Sequence, residues 1–106
     1  MRNKIALTDF NESFVRRLRK NPKELQEYKK YILSEFEKDQ NKELLLKGLK
    51  TIAMATEGMS NLAKKTKFSR RNLYKVFSDE GNPTLDTFFE IMKSLNLKMK
   101  IKILRH

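Results

Sequence analysis

The chain has no cysteine and no tryptophan, and its one histidine is the terminal His106. Without cysteine there is neither a disulfide framework nor a thiolate metal site. A single imidazole cannot assemble a metal centre either, so His106 reads as a solvated terminus. Only three glycines and two prolines are present, and no glycine-rich phosphate loop can be drawn from them. The first residues, MRNKIALTDFNESF, lack the apolar core of a signal peptide. No apolar run approaches the ~20 residues that would span a bilayer. Together these absences predict a cytoplasmic protein with no cofactor. Paired carboxylates are sparse as well. Asp79/Glu80 reads as a turn pair and Asp86/Glu90 as a helix-surface repeat, so catalysis is not expected.

What the chain does have is positive charge. Its 106 residues carry 24 Lys/Arg against 13 Asp/Glu, a net +11. Residues 1–57 hold 13 basic and 9 acidic side chains, and residues 58–106 hold 11 and 4. The shorter part therefore carries the larger surplus, +7 against +4. Such a concentration points to a polyanionic partner, because phosphate neutralisation with counterion release supplies sequence-independent affinity.

The spacing predicts a mainly α protein. Phe10, Phe14 and Leu18 fall four apart. Asn21-Pro22 reads as a cap and first helical residue, with Glu24 completing a capping box. A helix with Leu25, Tyr28, Ile32 and Phe36 on one stripe follows, ending at 39–41. A third helix over 42–57 carries Leu45, Leu49, Ile52 and Ala53, with Gly58 as its left-handed cap. Ser60 begins a short helix containing Leu62 and Ala63. After a turn at 66–68, Ser69 caps another helix, held by Leu73, Val76 and Phe77. The run 79–83, Asp-Glu-Gly-Asn-Pro, breaks the chain. Thr84 then caps a last helix whose Leu85, Phe88, Phe89, Met92 and Leu95 read as core, and Asn96 ends it.

Two stretches alternate with a period of two. Residues 2–8 read as a short strand or arm. In 97–103, Leu97, Met99, Ile101 and Ile103 alternate with Lys98, Lys100 and Lys102, which predicts a C-terminal β-strand. Its partner would be residues 2–8, the same strand of a second copy, or a sheet edge of another protein.

The helix opening at Ser69 carries the functional expectation. It presents Arg70, Arg71 and Asn72 at once and Lys75 a turn later. A recognition helix in the major groove places base-reading groups at its N-terminal end. Arg70 and Arg71 suit guanine, Asn72 suits adenine, and Lys75 suits a phosphate. Ser69 is read as both cap and phosphate donor. Ser60 and Asn61 begin the preceding helix, where they would meet the DNA backbone. Lys64 and Lys65 read as nonspecific electrostatics, and Tyr74 as packing at the core boundary. One such helix covers a half-site, so a homodimer is expected, with the last helix and 97–103 as candidate surfaces.

The stretch GMSNLAKKTKFSRRNLYKVFSDEGNPTLDTFFEIMKSLNLKMKI resembles the small antitoxins called probable addiction-module antidote proteins. These form a HigA-like branch of the lambda repressor/Cro-like helix-turn-helix class. The matching elements are GMS-x-LA, S-R-x-x-LYK and EGNP-x-x-DT. The resemblance implies an antitoxin that neutralises a small RelE/ParE-like toxin and represses its own operon as a DNA-bound dimer. It divides the chain into an N-terminal helical accessory segment, 1–40, for toxin or partner contact, and a helix-turn-helix domain, 41–106. Relatives commonly have glycine where Lys67 stands, so the turn is expected to hold Lys67 in a left-handed or distorted conformation. A stand-alone regulator with no toxin, and a non-catalytic interaction protein whose helix-turn-helix no longer binds DNA, are the other readings that the residues allow.

Overall fold

The computed structural model describes residues 11–104. The alternating stretch 2–8 lies outside them. Six helices follow one another: α1 (Glu12–Lys20), α2 (Pro22–Asp39), α3 (Lys42–Thr56), α4 (Gly58–Thr66), α5 (Arg70–Val76) and α6 (Leu85–Ser94). Most boundaries have a local chemical cause. The side chains of Asn11, Asn41, Ser69 and Thr84 each accept a hydrogen bond from the backbone N–H three residues on, which satisfies a donor that the first turn leaves unpaired. Gln40, Lys67 and Asn96 take positive φ of 56°, 66° and 60° where α2, α4 and α6 end. Glu57 lies between α3 and α4, and Gly58, at φ +81°, opens α4.

One expected cap is absent. Asn21 makes no side-chain bond to α2. Its Nδ2 donates instead to the Arg17 carbonyl at the end of α1, 2.7 Å away. Glu24 does not reach back to close a capping box, because Arg17 holds its carboxylate at 2.7 Å. Pro22 alone suffices to start α2, since its fixed φ suits the first turn and it has no N–H to satisfy.

α3 is the axis of the packing. It lies against α1, α2 and α4, and α4 in turn carries α5 and α6. Leu49, Ile52 and Ala53 of α3 are wholly buried, in one apolar cluster with Leu18, Ile32, Leu62, Leu73 and Ile91. Each fully buried aliphatic side chain contributes about 1.5–3 kcal/mol relative to exposure. Gly48 explains how closely α2 and α3 approach: a Cβ there would stand 2.6 Å from Ile32 Cδ1.

The helical class agrees with the sequence, and the C-terminal strand does not. No strand occurs among the described residues, and 97–104 run without regular structure. Alternation places side chains on two sides, but a strand also needs a backbone ladder to pair its N–H and C=O groups. No described segment supplies one. Ile101 and Ile103, expected on a buried face, are 92% and 98% exposed. α6 differs too. Ile91, Met92 and Leu95 are buried and Phe88 is partly so, whereas Leu85 and Phe89 face outward.

Tyr28 carries a testable consequence. Its ring packs edge-on against Phe14, with centroids 5.1 Å apart. Its hydroxyl is buried without a hydrogen-bond partner. Burial pushes its pKa from 10.0 up to about 12, with neighbouring Thr51 pulling the other way and Tyr31 adding a little. Thr51 does not satisfy the hydroxyl by hydrogen-bond geometry; Thr51 Oγ1 donates to the Lys47 carbonyl, 3.2 Å away. The folded state thus disfavours tyrosinate. The stability this represents is complete below pH 10 and is lost as pH rises through about 12. Tyr28→Phe should remove that alkaline loss. At neutral pH it should leave stability unchanged or raise it by about 1 kcal/mol, because a buried unsatisfied hydroxyl is removed. Urea melts at pH 7 and pH 11 measure both effects, and a large loss at pH 7 would mean that the hydroxyl has a partner after all.

Candidate nucleic-acid interface

α5 is short, so its orientation depends on what anchors it. Leu73 is wholly buried, Phe77 is nearly so, and Val76 is partly buried. These three define its inward side. A helix turns about 100° per residue, which sends Arg71 and Lys75 directly outward as an i,i+4 pair. Arg70 and Tyr74 fall on one flank, and Asn72 on the other. All five side chains are exposed.

The turn before α5 is built from small, specific bonds. Thr66 Oγ1 donates to the Leu62 carbonyl at 2.8 Å and accepts from Phe68 N–H at 3.3 Å. Lys67 closes α4 with its N–H on the Ala63 carbonyl at 2.8 Å. Its left-handed φ, expected from the glycine of relatives, costs a β-carbon-bearing residue on the order of 1 kcal/mol. Ser69 Oγ accepts from Asn72 N–H at 3.0 Å. The cap uses a lone pair only, so the hydroxyl proton stays available to an anion.

The remaining expected contacts are placed unevenly. Ser60 is exposed on α4, which begins two residues earlier than the sequence suggested, at Gly58. Asn61 is exposed, but its Nδ2 donates to the Glu57 carbonyl at 3.0 Å. Its Oδ1 and second N–H remain for a partner. Lys64 is exposed. Lys65 is engaged: it pairs with Glu57 at 2.6 Å and reaches the Ser94 carbonyl at 3.4 Å, tying α4 to the end of α6. Asn72 lines a cleft with Phe68, Glu80, Pro83 and Thr87, so it sits beside the loop rather than at the centre of the outward face.

Residues of α3, not among those singled out in the sequence, complete the site. Lys47 pairs with Asp79, and Lys42 donates to Asn82 Oδ1 at 2.9 Å. These two lysines strap the 77–84 loop to α3 and neutralise the carboxylate next to α5. Lys50 stands on the Tyr74 flank, its Nζ 5.4 Å from the ring centroid. The partners are separated by 24 to 40 residues, so no local pattern announces them. The result is an anchored helix with Arg71 and Lys75 outward and Arg70 on its flank, on the more basic part of the chain. That is the chemistry of polyanion recognition. No group of acidic or histidine side chains among the described residues could hold a metal ion. None of the described helices is long and apolar enough to cross a membrane.

The molecule is thus a small, mainly helical protein with a basic, helix-borne face. A family model described as "Probable addiction module antidote protein" matches residues 12–103, and the chain belongs to that family. It is also similar to a protein of Haemophilus influenzae (strain ATCC 51907 / DSM 11121 / KW20 / Rd), described as uncharacterised. The two are 41% identical over 70 residues, which is 66% of this chain and 71% of the relative. No solved structure matches.

Proposed function

We propose that this chain is the antitoxin of a type II toxin–antitoxin module. It binds and neutralises a small RelE/ParE-like toxin, and it represses its own operon by binding operator DNA. Membership of the antidote family carries the first half of this reading. The second half rests on α4 and α5 acting as a lambda repressor-like helix-turn-helix. Supporting it are the Ser69-capped α5, its outward Arg71 and Lys75, and the net charge of +11. In this reading Ser60, Asn61 and Ser69 meet the DNA backbone, while Arg70, Arg71 and Asn72 face base edges. Lys75 meets a phosphate. The protein is a binding module in the cytoplasm, not a catalyst.

A homodimer fits the same reading. Half-sites lie about 34–36 Å apart along B-DNA, so two copies must present their α5 helices together. Leu85 and Phe89 on α6 are 69% and 47% exposed. They offer an apolar face for the contact between copies.

The test is genetic and direct. Expression of the reading frame beside this gene should arrest growth, and co-expression of this chain should restore it by at least tenfold in colony count. A purified mixture should co-elute as one complex. Continued arrest despite soluble, folded antitoxin would remove the neutralising role. DNA binding would then stand alone as the function of a simple regulator.

A further inference from the structure

Tyr74 is the only aromatic residue of α5, and the outward side of that helix does not need it for packing. It is 39% exposed. Arg70 lies one helical turn before it, and residues four apart on a helix are neighbours. The Arg70 guanidinium carbon sits 5.8 Å from the Tyr74 ring centroid. Lys50, from α3, places its ammonium 5.4 Å from the same ring. Both distances lie within the ~6 Å reach of a cation–π contact. Arg71 has no such neighbour in the sequence: four residues on from it stands Lys75.

An arginine on an open helix surface samples many rotamers and must surrender them to read a base edge. The negative face of the tyrosine ring restricts those rotamers before DNA arrives. The ring also offsets the mutual repulsion of Lys50 and Arg70, so two cations can stay on one flank. A guanidinium held in this way surrenders less freedom on binding, which is the general advantage of a preorganised contact.

We propose that Tyr74 is a positioning residue for duplex DNA recognition. Its ring orients Arg70 on the α3-facing flank of the helix, and so sets sequence discrimination rather than bulk affinity. This rests on α5 being the DNA-reading helix. Arg71 and Lys75, on the outward stripe, act without it.

The experiment measures binding to a fluorescein-labelled duplex from upstream of the gene and to a scrambled duplex of equal composition, by anisotropy at several salt concentrations. Wild type, Arg70→Ala, Tyr74→Ala, Tyr74→Phe and the Arg70→Ala/Tyr74→Ala pair are compared, with thermal melts to confirm folding. Tyr74→Ala should lower the upstream-to-scrambled affinity ratio about three- to tenfold. The salt slope should not change, because every phosphate-binding side chain is still present. Tyr74→Phe should stay within about twofold of wild type, since the ring and not the hydroxyl holds the guanidinium. In the Arg70→Ala background, Tyr74→Ala should add nothing, as expected when one residue acts through the other. If Tyr74→Ala keeps the full ratio while Arg70→Ala loses it, the positioning role is overturned and DNA reading stands. A Tyr74→Phe variant as weak as Tyr74→Ala would mean that the hydroxyl touches DNA itself, which also overturns it. Wild type without any upstream preference would remove the DNA-reading assignment and this inference with it.

Discussion

Gly81→Ala is expected to be the most destabilising small substitution in this chain. A Cβ at Gly81 would stand 1.8 Å from the Val76 carbonyl oxygen and 2.7 Å from its carbon. Both are backbone atoms at the end of α5, so no side-chain rotation relieves the clash. The loop cannot simply swing away. Gly81 N–H donates to the Ser78 carbonyl at 2.9 Å, and the lysines of α3 hold Asp79 and Asn82 on either side. The cost should be on the order of 3 kcal/mol. For a domain of this size that lowers the melting temperature by roughly 10–25 °C. Gly58→Ala is the informative comparison. Gly58 has nothing within 4 Å of its would-be Cβ, and only its φ of +81° opposes alanine. It should cost about 1 kcal/mol. Melts of both variants by circular dichroism decide the matter. Equal losses would show that the Gly81 clash is absorbed by the backbone.

Arg70→Ala combined with Arg71→Ala should give the largest functional loss. Each bidentate arginine–guanine contact is worth about 1–3 kcal/mol of discrimination, or roughly five- to 150-fold in affinity per arginine. Both side chains are exposed, so the fold should survive with stability changed by less than about 1 kcal/mol. The single variants then separate roles. Removing a base reader lowers binding to the upstream duplex and relaxes its sequence preference. Removing a phosphate-binding side chain lowers binding to all sequences alike and reduces the salt slope by about 1. If the double variant shifts the upstream duplex as well as wild type does, α5 is not the reading helix.

These two expectations meet in the run 79–83, which sequence and structure treat differently. As a string it is a turn between two helices. In the structure Gly81 lies against the last carbonyls of α5, and Asn82 accepts from Lys42. The loop therefore holds the helix that carries the arginines. The sequence located the break but not what the break touches.

The same division runs through the chain. Ser69 and Thr84 are legible as caps because a cap is a local event, one side chain reaching a backbone N–H three residues on. Asn96 is legible as a left-handed stop for a similar reason, whereas the left-handed Lys67 is suggested only by the family resemblance. Asn21 departs from its reading as a cap because its Nδ2 donates to the Arg17 carbonyl at the end of α1, and in that pose its side chain makes no bond to an α2 N–H. Phe89 and Leu85 read as core from their period, yet periodicity marks a face and not what covers it. The period of two in 97–103 fails on the same ground, since a strand is a property of two segments.

By itself, then, the sequence determined the helical class, the order of the helices, the caps Ser69 and Thr84 and the basic character of the second half. All of these follow from interactions within about four residues and from summed charge. The inward side of α5 is legible too, since Leu73, Val76 and Phe77 fall on one side of the helix and the structure buries Leu73 and Phe77. Only the tertiary structure tied Lys42 and Lys47 to the 79–83 loop, set Lys50 against Tyr74 and left the C-terminal segment without a ladder. Each of those outcomes depends on residues far apart in the chain, whose approach is set by how α3 packs and not by any local pattern.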